Sequence, residues 1–169
     1  ISEFVARKLC HIGTGITVLH LDASDTMARW YVYSIGLVAL LMVWKIGIPY
    51  QFRYSKEKDI GISIYLVTVM IFFYTQMPLH IIQPVFFADP MGAIIGKGLT
   101  RLKFYNPIWI GNKTVGGTTA VFLASFWTLT YGNPLQKLMI SLLVAIAEGI
   151  TLEYDNLMIT VVVVSGYKI

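Results

Sequence analysis

Asp89 and Glu148 are acidic residues set inside otherwise apolar runs, and Asp155 follows Glu148 by seven positions. An ionisable group in such a run is costly, so it usually faces a cavity or a bundle interior and is a functional candidate by default. His11, Glu153 and Asp155 sit near the ends of apolar runs. Between these acids lies a glycine-rich basic stretch, Lys97 to Lys113. Carboxylates beside such a stretch are what a phosphate–magnesium site needs. Mg²⁺ takes oxygen ligands and shares them with substrate phosphates, while lysines and backbone N–H groups stabilise phosphate oxygens.

Four segments carry this chemistry, and each has a plainer reading beside it. In Asp89-Pro90-Met91-Gly92-Ala93-Ile94-Ile95-Gly96-Lys97-Gly98, Asp89 would hold a metal and Lys97 a phosphate, with Gly92 and Gly96 letting backbone approach the ligand. The plainer reading is close helix packing at glycine. The spacing is not that of a P-loop. In Asn112-Lys113-Thr114-Val115-Gly116-Gly117-Thr118-Thr119, a helix starting near Gly117 would turn its amides toward an anion. The alternative is an ordinary capped helix start with a snorkelling lysine. In Glu148 to Asn156, a continuous helix would place Glu148 and Asp155 on one face. A polar helix end explains Glu153 and Asp155 but not Glu148. In Arg7-Lys8-Leu9-Cys10-His11, Arg7 and His11 share a helical face, and a juxtamembrane basic anchor is the commoner use of such a pair. His20 and His80 are read as structural.

The elements that must position these groups are helices in a bilayer. The chain has 169 residues, 56% hydrophobic and 13% charged, with a mean hydropathy of +0.68, where a soluble domain carries about 25% charge. One soluble core of this size does not hide so much apolar surface. Apolar runs cover Ile12–Leu21, Trp30–Pro49, Ile60–Gln76, Pro78–Gly96, Gly117–Tyr131, Leu135–Leu152 and Asn156–Gly166. They are continuous rather than alternating, which argues against a β-barrel. The expectation is an all-α, polytopic transmembrane bundle of about seven crossings, some short or broken, forming a single membrane-embedded catalytic domain over 1–169. Arg7, Lys8, Arg53, Lys56, Lys58, Lys97, Arg101, Lys103 and Lys113 then fall on one side, opposite Arg29, Lys137 and Lys168. The positive-inside rule makes that side cytosolic or its equivalent, and the acidic candidates lie toward it. One cysteine, Cys10, excludes an intrachain disulfide and a cysteine-based metal cluster. The net charge of +4 comes with no nucleic-acid-binding motif, so no nucleic-acid partner is expected. No signal peptide is evident, and the chain, opening on Ile1, is read as a portion of a longer one.

In this order the four segments resemble the polyprenol kinase family, which includes dolichol kinase, phytol and farnesol kinases and CTP-dependent diacylglycerol kinases. Arg7, Lys8 and His11 match its R-K-x-x-H. Asp89 through Gly96 resembles D-x-x-A-x-x-x-G, and Lys113, Thr114 and Gly117 resemble K-K/S/T-x-x-G. Glu148, Asp155 and Asn156 match E-x-x-x-x-x-x-D-N. The likeness spans nearly the whole chain and is nearest the phytol kinase branch, whose N-K-S-x-x-G-S is similar to Asn112–Thr118. Departures are Gly92 at the alanine position, Thr100 at a glycine position and Gly116 where the dolichol kinase pattern has Glu. The resemblance implies transfer of phosphate from CTP–Mg²⁺ to a long-chain isoprenoid alcohol at the membrane interface. Asp89 and Asp155 would bind the metal, with Glu148 and Asn156 beside them. Lys97, Lys113 and Thr114, with the amides around Gly96, Gly116 and Gly117, would hold the triphosphate. Arg7 and Lys8 would steady the nucleotide or the product phosphate, and His11 or a carboxylate would take the hydroxyl proton. The partners implied are the lipid alcohol, the nucleotide and the bilayer, with a homo-oligomer left open. A CTP-dependent diacylglycerol kinase and a CDP-lipid cytidylyltransferase are the enzymatic alternatives, although the K-D-x-G/S/A signature of CDP-diacylglycerol synthase, with its later H-G-G, is absent. A small ion-coupled transporter is the alternative of another class.

Overall fold

The computed structural model describes residues 2–48, 50, 52, 54–151 and 154–168, so Arg53 and Glu153 lie outside the described residues. The chain packs as two compact units, Ile1–Leu79 and His80–Ile169. No linker composition marks this boundary in the sequence. Among the described residues there are seven α-helices, and each expected apolar run falls largely within one of them.

The first unit holds α1 (Glu3–Leu19), α2 (Thr26–Trp44) and α3 (Ile60–Tyr74). Each begins at a side-chain cap: Ser2 accepts from the Val5 N–H, Asp25 from Met27 and Asp59 from Ile62. Such caps satisfy amides that have no partner inside the helix. α1 starts well before Ile12, so the Arg7-to-His11 segment is helix interior and not a flank. Arg7 and His11 do share a face, and it meets α3. The Arg7 guanidinium donates to both Asp59 carboxylate oxygens at 2.6 and 3.1 Å. The His11 ring lies edge-on to Tyr65 with centroids 4.3 Å apart, and Thr14 Oγ1 and the Tyr65 hydroxyl are hydrogen-bonded at 2.9 Å. Lys8 is buried.

A 3₁₀ turn over Leu79–Ile82 leads to the second unit, with α4 (Gln83–Arg101), β1 (Ile108–Ile110), β2 (Lys113–Thr114), α5 (Val115–Thr128), α6 (Pro134–Ile150) and α7 (Asp155–Tyr167). The four helices close a ring: α4 packs on α5, α5 on α6, α6 on α7, and α7 back on α4. Val85, Phe86, Val121, Val144, Ile159 and Val163 fill its centre, all fully buried. The α4–α5 contact depends on glycine. A Cβ on Gly92 would run into the Val121 side chain, and one on Gly96 would come within 2.9 Å of Thr114 Oγ1 and 3.3 Å of the Gly117 Cα. The glycine-rich Asp89–Gly98 segment is therefore helix, and Gly92 and Gly96 serve the close approach of two helices.

The antiparallel β1–β2 pair is the one departure from all-α structure among the described residues. It pairs Ile108 with Thr114 and Ile110 with Lys113, and turns through Gly111 at φ 55° and Asn112. A positive φ at the first turn residue is the reason glycine stands there.

Among the described residues, two segments are long and apolar enough to cross a membrane: Thr26–Trp44, with 19 residues, and Leu79–Arg101, with 23. α3, α5 and α7 are apolar but shorter, at 15, 14 and 13 residues. At 1.5 Å per residue they rise roughly 20–23 Å, less than the ~30 Å of a hydrocarbon core. Seven apolar helices are thus not seven full-length spans.

Candidate functional site

Asp89, Glu148 and Asp155 come together in the second unit, with one oxygen of each carboxylate within 4.8 Å of the other two. Asp89 projects from the middle of α4, Glu148 from the last turn of α6, and Asp155 is the first residue of α7. The closed helix ring explains the convergence, because α7 touches both α4 and α6. One continuous helix does not run through Glu148 and Asp155, as the spacing had suggested. α6 ends at Thr151, whose backbone is extended (φ −94°, ψ 140°), and Thr151 Oγ1 donates to the Ala147 carbonyl at 2.8 Å. The helix stops there, and the two carboxylates meet across two helix ends. Asp155 in a helix first turn is favoured by the helix dipole.

Lys113, delivered by β2, is the cation of the cluster. Its ammonium donates to Glu148 Oε1 and stands 3.9 Å from Asp155 Oδ2. The side chains of Lys113, Glu148 and Asp155 are only 18%, 5% and 16% exposed, and Asp89 is 7% exposed. Two like charges 4 Å apart repel by about 4 kcal/mol at an effective dielectric of 20. Three carboxylates this close and this buried are a natural seat for a positive charge.

The donor set fits a hard divalent cation. Mg²⁺ binds oxygen at about 2.0–2.1 Å, so two of its ligands stand at most about 4.2 Å apart. The 4.8 Å spread is wider than that, so the three carboxylates would draw in around an arriving cation, adjacent oxygens coming to about 2.9 Å. Asn156 adjoins the cluster; it is buried, and its N–H donates to Asp155 Oδ1 at 2.9 Å.

The helix start at Val115 departs from expectation. The amides meant to face an anion already have partners: Val115 N–H donates to the Pro107 carbonyl at 3.0 Å, Gly116 N–H to Asn106 Oδ1 at 2.8 Å, and Gly117 N–H to Thr114 Oγ1 at 3.2 Å. Thr114 is thus the cap of α5. Phosphate oxygens at this end would be met by side chains and not by these amides. Lys97 is exposed and lies eight residues beyond Asp89 on α4, a rise of about 12 Å. Arg7, Lys8 and His11 belong to the first unit. There the Arg7 guanidinium is engaged by Asp59. Burial alone would raise the Asp59 pKa, but bonds from Arg7 and from the Ile62 and Lys56 amides outweigh it and hold the carboxyl below the usual range.

Two residues that the sequence did not single out build the surroundings. Asn106 clamps α4 to α5: its amide donates to the Gly96 carbonyl at 2.9 Å and to Thr100 Oγ1 at 3.2 Å, while its oxygen takes the Gly116 N–H. The Asn106-Pro107 pair was its only signal, as a turn marker. Trp109, on β1, donates to Thr118 Oγ1 at 2.9 Å. A Cβ on Gly149 would come within 2.6 Å of the Trp109 ring. The hairpin is therefore fastened to α5 and to the end of α6 that bears Glu148. Comparison with protein families, curated proteins and solved structures finds no match to this chain.

Proposed function

We propose that this chain is a membrane-embedded phosphotransferase. It moves the γ-phosphoryl group of CTP to the hydroxyl of a long-chain isoprenoid alcohol of the phytol, farnesol or geranylgeraniol type, on the positively charged face of the bilayer. The observation that carries the reading is the buried cluster of Asp89, Glu148 and Asp155, with the Lys113 ammonium on Glu148 and near Asp155. The ordered motif resemblance supports the nucleotide and the lipid acceptor. Membrane residence is supported by the two long apolar helices and by exposed Trp30, Tyr74 and Trp127 near helix ends, where interfacial aromatics gather.

In this reading Asp89, Asp155 and Glu148 hold Mg²⁺, which when bound neutralises phosphate charge. Lys113 turns from Glu148 to a phosphate oxygen, and the exposed Lys97 offers a second cation further along α4. The acceptor oxygen bonds to the γ-phosphorus. The bond to the β–γ bridging oxygen breaks, and CDP leaves with that electron pair. A cluster carboxylate is the base this unit supplies for the hydroxyl proton. Such catalysis is mostly positioning and charge neutralisation.

The test is transfer of γ-³²P from CTP–Mg²⁺ to phytol, farnesol, geranylgeraniol, dolichol and diacylglycerol in micelles. Labelled isoprenoid phosphate is expected, falling at least about 100-fold in Asp89→Asn and in Lys113→Ala. Intact activity in both variants overturns the residue assignments. Pyrophosphate release in place of CDP means a cytidylyltransferase, and ion flux without nucleotide turnover means a transporter.

A further inference from the structure

The first unit contains a cavity of about 580 Å³ between α1, α2 and α3, within the roughly 300–1,000 Å³ range of small-ligand pockets. Its described lining includes Gly13, Thr14, Gly36, Tyr65, Leu66 and Met70, and no charged residue is among the lining side chains. Most of the wall is aliphatic. We infer that this cavity binds one long apolar chain bearing a neutral hydroxyl head, with the head at the Thr14–Tyr65 hydroxyl pair.

Three observations carry the occupant's chemistry. First, a wall without charge offers no ion-pair partner to a carboxylate or phosphate head, and an unpaired charge against apolar surface is costly. Second, a hydrogen-bonded pair of hydroxyls stands in the wall, which also carries Cys10, Thr17 and Tyr31. Thr14 Oγ1 and the Tyr65 hydroxyl lie 2.9 Å apart and are anchored to the Cys10 and His11 carbonyls at 2.8–3.3 Å. Each hydroxyl oxygen has two lone pairs, so the pair can accept a hydrogen bond from an alcohol. Third, Gly13 has no packing role. A Cβ built there meets nothing within 4 Å, although glycine inside a helix costs stability relative to alanine. What Gly13 provides is room. Gly36 is different: its Cβ would meet Met70 Sδ at 2.8 Å, so one flexible side chain closes that wall.

The hydroxyl head rests on the lipid-alcohol reading above, while the apolar, uncharged character of the site stands on the cavity alone. The experiment is photo-crosslinking of the purified full chain with a diazirine-bearing C16 primary alcohol, followed by peptide mapping. Label is expected in α1 and α3, competed by farnesol but not by palmitate. Gly13→Leu should cut labelling about tenfold. Gly98→Leu, placed where a Cβ also meets nothing within 4 Å, should leave it unchanged. Gly13→Ala, which adds one methyl without a clash, should keep the fold and lower labelling less. Thr14→Val with Tyr65→Phe should erase the preference for farnesol over its methyl ether. Equal labelling in Gly13→Leu, label spread evenly over all helices, or equal competition by palmitate would each overturn the inference. Phosphorylation of an alcohol without labelling of α1 sinks the cavity and spares the kinase. Labelling without phosphorylation does the reverse.

Discussion

Replacing Lys113 by Met removes the ammonium that pairs with Glu148 and stands 3.9 Å from Asp155. Glu148 and Lys113 are 5% and 18% exposed at the side chain. Removing one partner of a buried pair costs about 3–5 kcal/mol, and the expectation here lies toward the lower figure because Lys113 keeps some solvent. The same change helps a divalent cation. In the parent chain that cation must displace the ammonium from Glu148 or share the cluster with it, at distances where unit charges interact by about 4 kcal/mol. Part of that repulsion is relieved as the lysine swings toward solvent, so a tenfold gain in cation affinity, about 1.4 kcal/mol, is a conservative expectation for Lys113→Met. The assay is thermal unfolding in detergent with and without Mg²⁺, titrated from micromolar to millimolar. Lys113→Met should melt below the parent chain without Mg²⁺ and recover much of the difference with it, since a ligand stabilises in proportion to ln(1 + [L]/Kd). Asp89→Asn should reduce or abolish the Mg²⁺ shift. If Mg²⁺ moves the parent, Lys113→Met and Asp89→Asn chains by the same amount, the cluster is not a cation site and the reasoning fails.

Gly92→Leu should destabilise the second unit by about 1–3 kcal/mol through overpacking against Val121, whereas Gly98→Ala should be neutral or stabilising by up to about 1 kcal/mol; thermal midpoints separate the two. Asn106→Ala removes three hydrogen bonds and leaves the Gly116 N–H without its acceptor. A loss of about 2–4 kcal/mol and faster hydrogen exchange at the start of α5 should follow. Because the folded Asp59 pKa is depressed, its contribution is fully present above the unfolded value of about 3.9 and is lost as pH falls through the folded value. Asp59→Asn should therefore flatten the acid limb of a stability–pH profile below about pH 4, and an unchanged limb would remove the Arg7–Asp59 pair from that account.

The helices were legible because continuous apolar runs of this length have few other solutions. Their ends were less so. The start of α1 was missed because Ser2, a good cap, precedes a mixed stretch with Arg7 and Lys8 that reads as a flank; Asp59 supplies the partner that lets Arg7 lie in the unit. The β1–β2 pair was missed because five residues carry no periodicity, and only Gly111-Asn112 hinted at a turn. The boundary at Leu79–His80 left no trace because helices pack into units through side-chain shape, not through linker composition.

The candidate site shows a sharper limit. Two of its four charged members, Asp89 and Glu148, stood out as charges in apolar surroundings, a signal of composition that survives without coordinates. How they meet is a property of the ring. Glu148 and Asp155 meet from the end of one helix and the start of the next, a route their spacing of seven does not reveal. Gly92 and Gly96 suit both a ligand-hugging loop and a tight helix pair, and only the facing Val121 and Gly117 decide for the latter. That packing also bears on Asp89, which lies on α4 about one turn before Gly92, the glycine that faces Val121 and the Gly117 carbonyl of α5. A larger residue at either glycine would force α4 off α5, and so shift Asp89, before it touched any charge. The glycines that were expected to hold a ligand therefore act on the cluster at one remove, by fixing how closely the helix that carries Asp89 lies against α5.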